Sequence, residues 1–144
     1  MKKIISIIVG MLFIVGCSSN HNYVKEDLVK IYEAPYLEMN MDNELALEEM
    51  IQTLQDRFDE DFTEETLNKH IAIQTFVMLN NIEEKVTVKD IEIKETAKNQ
   101  YSYTVKLSTN NQNYTSSGSV RYEDGKIVYL EIAQWPTYAS DYFK

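Results

Sequence analysis

The chain has 144 residues, with 23 Asp and Glu against 14 Lys and Arg, and a formal net charge of −9. That balance argues against nucleic-acid binding, whose phosphate contacts need clustered basic side chains, and disfavours adsorption of the folded body on an anionic lipid surface. A single cysteine leaves no intramolecular disulfide, and the length suits one domain plus an appendage.

The appendage comes first. "MKKIISIIVGMLFIVG" has two lysines, then an apolar run from Ile4 to Gly16. The run is shorter than the ~20 residues a helix needs to cross the hydrocarbon core, and no comparable run follows. A basic start, a short apolar middle and a small residue at the end describe a secretory signal peptide, residues 1–16. A free thiol in an exported protein is at odds with an oxidising compartment, and its position answers the difficulty. Ile14-Val15-Gly16-Cys17 resembles the lipobox of bacterial lipoproteins of the Gram-positive type. The resemblance implies that the Cys17 thiol receives a diacylglyceryl group carrying fatty acids such as palmitate. It also implies cleavage between Gly16 and Cys17 and attachment to the outer side of the cell membrane. Two acyl chains supply stable anchoring at about 0.8 kcal/mol per buried methylene. Losing Lys2 and Lys3 with the leader brings the mature chain to −11. Residues 17–22, "CSSNHN", read as a lipidated tether. The alternative is an ordinary secreted protein that keeps a cysteine beside its cleavage site.

Residues 23–144 read as one domain. "YVKEDLVKIYEAPY" places Val24, Leu28, Ile31 and Tyr32 at helical spacing, with Pro35 as the stop. "MDNELALEEMIQTLQDRF" predicts a second helix capped by Asp42 or Asn43, burying Leu47, Met50, Ile51, Leu54 and Phe58. "FTEETLNKHIAIQTFVML" predicts a third, with Thr63 as N-cap and Glu64 and Glu65 in its first turn. Leu67, Ile71, Phe76, Met78 and Leu79 give it a broad apolar surface.

From Val86 the period becomes two. Val86 and Val88 fall on one phase and Ile91 and Ile93 on the other, which predicts a bulge or bend at Lys89-Asp90. Tyr101, Tyr103, Val105 and Leu107 alternate cleanly, "TNNQN" makes a loop, and "YTSSGSVRY" returns as a strand. Asp124-Gly125 suits a two-residue hairpin turn. "IVYLEIAQW" is apolar on both phases and reads as a central strand or one covered on both faces. The expected architecture is α+β, with N-terminal helices packed on a curved antiparallel sheet of about four strands.

Helices first, then a bent antiparallel meander, is the order of cystatin-like and nuclear transport factor two-like folds. "RFDEDFTEETLNKH" resembles the helix junction of that superfamily, where an aromatic residue and then "FT" introduce the next helix. Small Gram-positive lipoproteins with a cystatin-like domain, some encoded on conjugative elements, are similar in layout. The resemblance implies a domain that assists assembly or binds a partner, and it supplies no catalytic residues to carry over.

The residues themselves offer little catalytic chemistry. Nucleophilic catalysis needs an activated Ser, Thr or Cys beside a base. His21 sits in the tether, and His70 reads as a partly exposed helix residue. Two distant histidines with one cysteine make no zinc or copper site. Asp56, Asp59, Glu60, Asp61 and Glu65 are oxygen donors, but they lack the glycine and the spacing of a calcium loop. Glycines at 10, 16, 118 and 125 form no phosphate loop. No cofactor and no metal are expected.

Tyrosine is the more suggestive feature, and its ordinary role is cross-strand packing. A ligand or partner surface would draw on Tyr101, Tyr103, Tyr129, Glu131 and Trp135. Glu131 interrupts an apolar strand between Leu130 and Ile132, and alternation places it toward solvent. The favoured reading is a non-enzymatic protein-binding or assembly module at the cell envelope. Its partners are then the membrane, through Cys17, and an envelope protein. The alternative is an extracytoplasmic ligand-binding or hydrolytic domain using a cavity between sheet and helices.

Overall fold

A computed structural model of the chain describes residues 21–33, 44–80, 84–110 and 112–139. Cys17 and its lipobox, the Pro35 stop and the Asp42 or Asn43 cap lie outside the described residues. Among the described residues, four helices precede four strands: α1 (Asn22–Tyr32), α2 (Glu44–Phe58), α3 (Glu64–Ala72), α4 (Thr75–Asn80), β1 (Thr87–Ala97), β2 (Gln100–Ser108), β3 (Asn113–Glu123) and β4 (Lys126–Gln134). The strands form an antiparallel meander in the order β1-β2-β3-β4, with the helices packed on one face of the curved sheet. His21 and Asn22, read as tether, are the N-cap and first residue of α1.

The helical periodicity reports the core well in α1, where Val24, Leu28, Ile31 and Tyr32 are all buried. In α2 it is right at Met50, Leu54 and Phe58, while Ile51 is half-buried and Leu47 is exposed. Leu47 lies in the first turn, before the helix reaches the core. Phe58, Phe62 and Phe76 form the centre, with Phe58 and Phe76 stacked at 4.6 Å and Phe62 edge-on to both. Stacked and edge-to-face rings add about 0.5–1.5 kcal/mol each beyond the area they bury.

The expected third helix is two. Ile73 caps α3, and Gln74 takes a left-handed φ of 61°. Its N–H donates to Ile71 O over 3.0 Å, and α4 starts at Thr75 in a new direction. This break lets both Leu67 and Phe76 reach the core, while Ile71 packs at its margin and Ile73 projects outward. Thr63 stands at the N-cap, but its hydroxyl donates to Thr66 Oγ1 rather than capping the helix.

The phase switch near Lys89-Asp90 is a bulge. Val88 pairs with Leu107 and Asp90 with Lys106, leaving Lys89 between them. Asp124 and Gly125 make the β3–β4 turn, with φ of 49° and 79°. The last strand is an edge rather than a central strand, which corrects the sequence expectation. Two features explain its mixed pattern. A second bulge leaves Val128 between the Arg121–Tyr129 and Tyr122–Ile127 pairs, which shifts the phase. The α2–α3 junction then covers the start of the edge. Ile127 N donates to Asp61 O at 2.8 Å, and Thr63 N donates to Ile127 O at 3.1 Å. Thr66 Oγ1 donates to Val128 O at 3.1 Å. An edge strand guarded this way resists pairing with foreign strands over that stretch.

Candidate functional site

The inner face of the sheet is filled, and tyrosines fill much of it. Tyr32 shares hydrogen bonds with Ser116 Oγ (2.6 Å) and the Tyr103 hydroxyl (3.3 Å). Ser116 donates onward to Gln134 O at 2.8 Å, and Tyr103 donates to Glu131 O at 3.1 Å. Tyr23 and Tyr101 share a hydroxyl contact of 2.9 Å, and Tyr122 donates to Asp27 Oδ2 at 2.8 Å. Burial, foremost, pushes the Tyr101, Tyr103 and Tyr122 hydroxyls well above their usual titration range. They are neutral donors that keep a polar core satisfied, not acids or bases near neutral pH. Tyr101 and Tyr103 are both buried and hold α1 to the sheet, and Tyr103 together with Glu131 also lines a trough on the other side.

The opposite face of the sheet carries an open trough of about 500 Å³. Its floor follows from the register. Lys94 pairs with Ser102, Ser102 with Ser119, and Ser119 with Glu131, so one row crosses all four strands. Short hydroxyl side chains occupy the two central strands, and longer charged ones stand on the edges. Gly118, opposite Tyr103 and so on the inner phase of β3, contributes only backbone to the floor. A Cβ there would lie 1.9 Å from Glu131 O and 2.7 Å from the Tyr103 hydroxyl, so only glycine lets β4 pass this close. Glu131 is exposed, as alternation implies, with Ser119 Oγ at 3.3 Å and the Tyr129 hydroxyl at 3.2 Å from its Oε2.

A second, more apolar groove of about 240 Å³ runs beside β4. Ile73, Tyr129, Ile132 and Trp135 line it, with Lys69 and Glu131 at its rim. Ile73 is 51% exposed and Tyr129 39%. The α3–α4 break creates this groove by turning Ile73 away from the core. Of the five residues expected at a site, three gather here, namely Tyr129, Glu131 and Trp135. Ile73 and Lys69 escaped the sequence reading. Ile71 and Ile73 are two apart and cannot share one helix face, and that was the only available signal.

His70 forms the groove's inner wall and is buried, which corrects the expectation of partial exposure. Its Nδ1 lies 2.9 Å from Thr75 Oγ1, across the helix break. Burial, then the neighbouring Lys69 charge, lowers its pKa to about 4, against a hydrogen bond to the Leu130 backbone. The ring is neutral at physiological pH and ties α3, α4 and β4 together. The acidic junction has a structural role as well, since Asp61 pairs with Lys30. Among the described residues, no group of three or more His, Cys, Asp or Glu is placed to hold a metal ion.

No protein-family model and no curated protein matches the chain. Solved structures do resemble it. One is described as the transfer protein TraH from the Gram-positive conjugative plasmid pIP501, at 14% identity and a TM-score of 0.53, covering 82% of this chain and 94% of that one. Another is a de novo designed β-sheet protein, at 16% identity and a TM-score of 0.45, covering 79% and 87%. At such identities the likeness to TraH concerns the fold alone.

Proposed function

We propose that this chain is a lipid-anchored, extracytoplasmic protein of a Gram-positive envelope, with a cystatin-like domain that binds a protein partner without catalysis during conjugative transfer. The observation that carries the reading is the groove beside β4. Ile73, Tyr129 and Trp135 bring aromatic and aliphatic surface together at a sheet edge whose guarded stretch ends at Leu130. An exposed tyrosine beside a half-buried tryptophan, with a charged rim, is the composition of a protein interface. The fold shared with TraH supports a place in conjugation, and the lipobox supports the address.

The trough above Gly118 favours a second reading, in which a small polar ligand binds the outer face of the sheet through Ser102, Ser119 and Glu131. The two readings separate in one experiment. Donor cells expressing Ile73→Asp with Tyr129→Ala, or Ser102→Ala with Ser119→Ala, are compared for plasmid transfer frequency. The first pair is expected to reduce transfer by at least about tenfold, the effect of losing an interface anchor worth roughly 1.4 kcal/mol or more. The second pair is expected to leave transfer unchanged. The reverse result favours the small ligand, and no effect from either pair removes both surfaces from transfer.

A further inference from the structure

We infer that the hairpin end of the sheet, together with the first turn of α1, is the face that lies against the lipid headgroups. This rests on the lipid-anchor reading and adds an orientation to it. Cys17 and His21 are separated by four Cα–Cα steps, which span at most about 15 Å. A domain of this length is roughly 35 Å across, so so short a connection cannot let it present its far side to the membrane. Whatever surrounds His21 is therefore held within reach of the headgroups.

The surroundings of His21 are defined by contacts. Its ring meets Tyr101 edge-on at 5.2 Å, and Tyr23 meets Tyr122 at 5.0 Å. Tyr101 stands one residue beyond the β1–β2 turn at Lys98-Asn99, and Tyr122 one residue before the β3–β4 turn at Asp124-Gly125. Tyr122 N donates to Asn99 O over 2.9 Å, which joins the two hairpins at this end. Tyr23 is 40% exposed here, and an exposed tyrosine fits the headgroup layer, where one end of the ring is apolar and the other wet. Lys25, Lys98 and Arg121 are exposed at this end, interleaved with exposed Glu95, Glu123 and Asp124, and Arg121 lies 3.9 Å from Glu123.

The opposite end is equally well marked. α1 crosses the sheet and finishes where Glu33 Oε1 accepts from Val88 N, near the start of β1. Trp135 follows the last residue of β4, roughly 25 Å from the hairpin turn at the rise of a strand. It is the only tryptophan in the chain, so the far end carries its own reporter. The β4 groove, which includes Trp135, then opens away from the bilayer, where a partner can approach it.

The test uses lipidated protein purified from membranes and reconstituted into phosphatidylcholine vesicles, with and without a nitroxide on the lipid headgroup. Wild-type fluorescence, which reports Trp135, is expected to be unchanged by the nitroxide. Lys98→Trp adds a second reporter at an exposed turn, and this protein is expected to lose about half of its emission, one tryptophan of two lying in the headgroup layer. Quenching of Trp135 in the wild type, or no added quenching in Lys98→Trp on protein that floats with the vesicles, overturns the orientation. Protein that fails to float shows that the anchor is absent, and the orientation falls with it. Flotation thus separates failure of the anchor from failure of the orientation.

Discussion

Asp27 stands on α1 beneath Tyr122, whose hydroxyl donates to its Oδ2. Burial raises its pKa from 3.8 to about 6, against the pull of the Tyr122 hydrogen bond, and the nearby Asp61 charge adds to the rise. The folded chain therefore holds this proton more tightly than the unfolded one, and stability falls as pH climbs from about 3.8 to about 6. His70 has the opposite sign. Its pKa is lowered from 6.5 to about 4, so the unfolded chain binds the proton more tightly and stability rises over that interval. The two groups offset each other across most of one window, so the wild-type profile is flatter than either alone. Asp27→Asn removes one partner of this cancellation and keeps an acceptor for Tyr122. The full displacement of Asp27 corresponds to about 3 kcal/mol, and solvent screening of a half-buried carboxylate leaves roughly 1–2 kcal/mol. The variant is expected to be more stable by that amount near neutral pH. The gap should narrow toward about pH 4, and the variant's profile should rise with pH as His70 sheds its proton. Urea midpoints across the range check this. A gap independent of pH would assign the effect to packing rather than to the carboxylate. None of this was legible beforehand, because Asp27 reads as one more acid on a helix until Tyr122 arrives from the far end of the chain.

At the scale of elements, the α3–α4 break is the feature that shapes the β4 groove. Gln74 occupies the position after the C-cap, where a left-handed residue lets the last N–H groups fold back. A side chain with a Cβ costs roughly 1–2 kcal/mol in that conformation, and glycine does not. Gln74→Gly is thus expected to raise stability by roughly 1 kcal/mol, net of the extra freedom glycine has when unfolded. Thermal or urea unfolding reads the change, and a loss of stability would mean that the Gln74 side chain holds the break in place. The same residue explains why one long helix was expected. Glycine at that position announces a helix end in a sequence, and glutamine announces a helix. The bulge at Lys89 was legible for the converse reason: a change of phase in a two-residue period leaves its mark on Val86, Val88, Ile91 and Ile93. The edge position of β4 was hidden because its pattern mixes a bulge at Val128 with cover from Asp61 and Thr63, and period alone does not separate these from burial on both faces.

For the whole molecule, the sequence makes the layer order plain, since helices at period 3.6 precede strands at period two. The site was legible only in part. Tyr129, Glu131 and Trp135 gather at the groove, whereas Tyr101 and Tyr103 are buried toward α1, with Tyr103 also lining the trough, a choice set by which phase of each strand faces the helices. In the proposed reading the address depends on one atom. Processed in that way the chain would carry −11, which repels it from anionic lipid, and among the described residues no helix is long and apolar enough to cross a membrane. In the proposed reading, attachment therefore comes from the Cys17 thioether, with acyl chains contributing about 0.8 kcal/mol per methylene. Cys17→Ser keeps the size and the leader but removes the sulfur that accepts the lipid. It is expected to lose incorporation of labelled palmitate and to lose the processed, membrane-bound form. Folding of the body should be untouched, because the first core residue, Val24, lies seven positions on. Fractionation of cells with palmitate labelling and mass determination of the N-terminus reads all three. A Cys17→Ser protein that is fully processed and still pellets with membranes would place the anchor elsewhere in the chain.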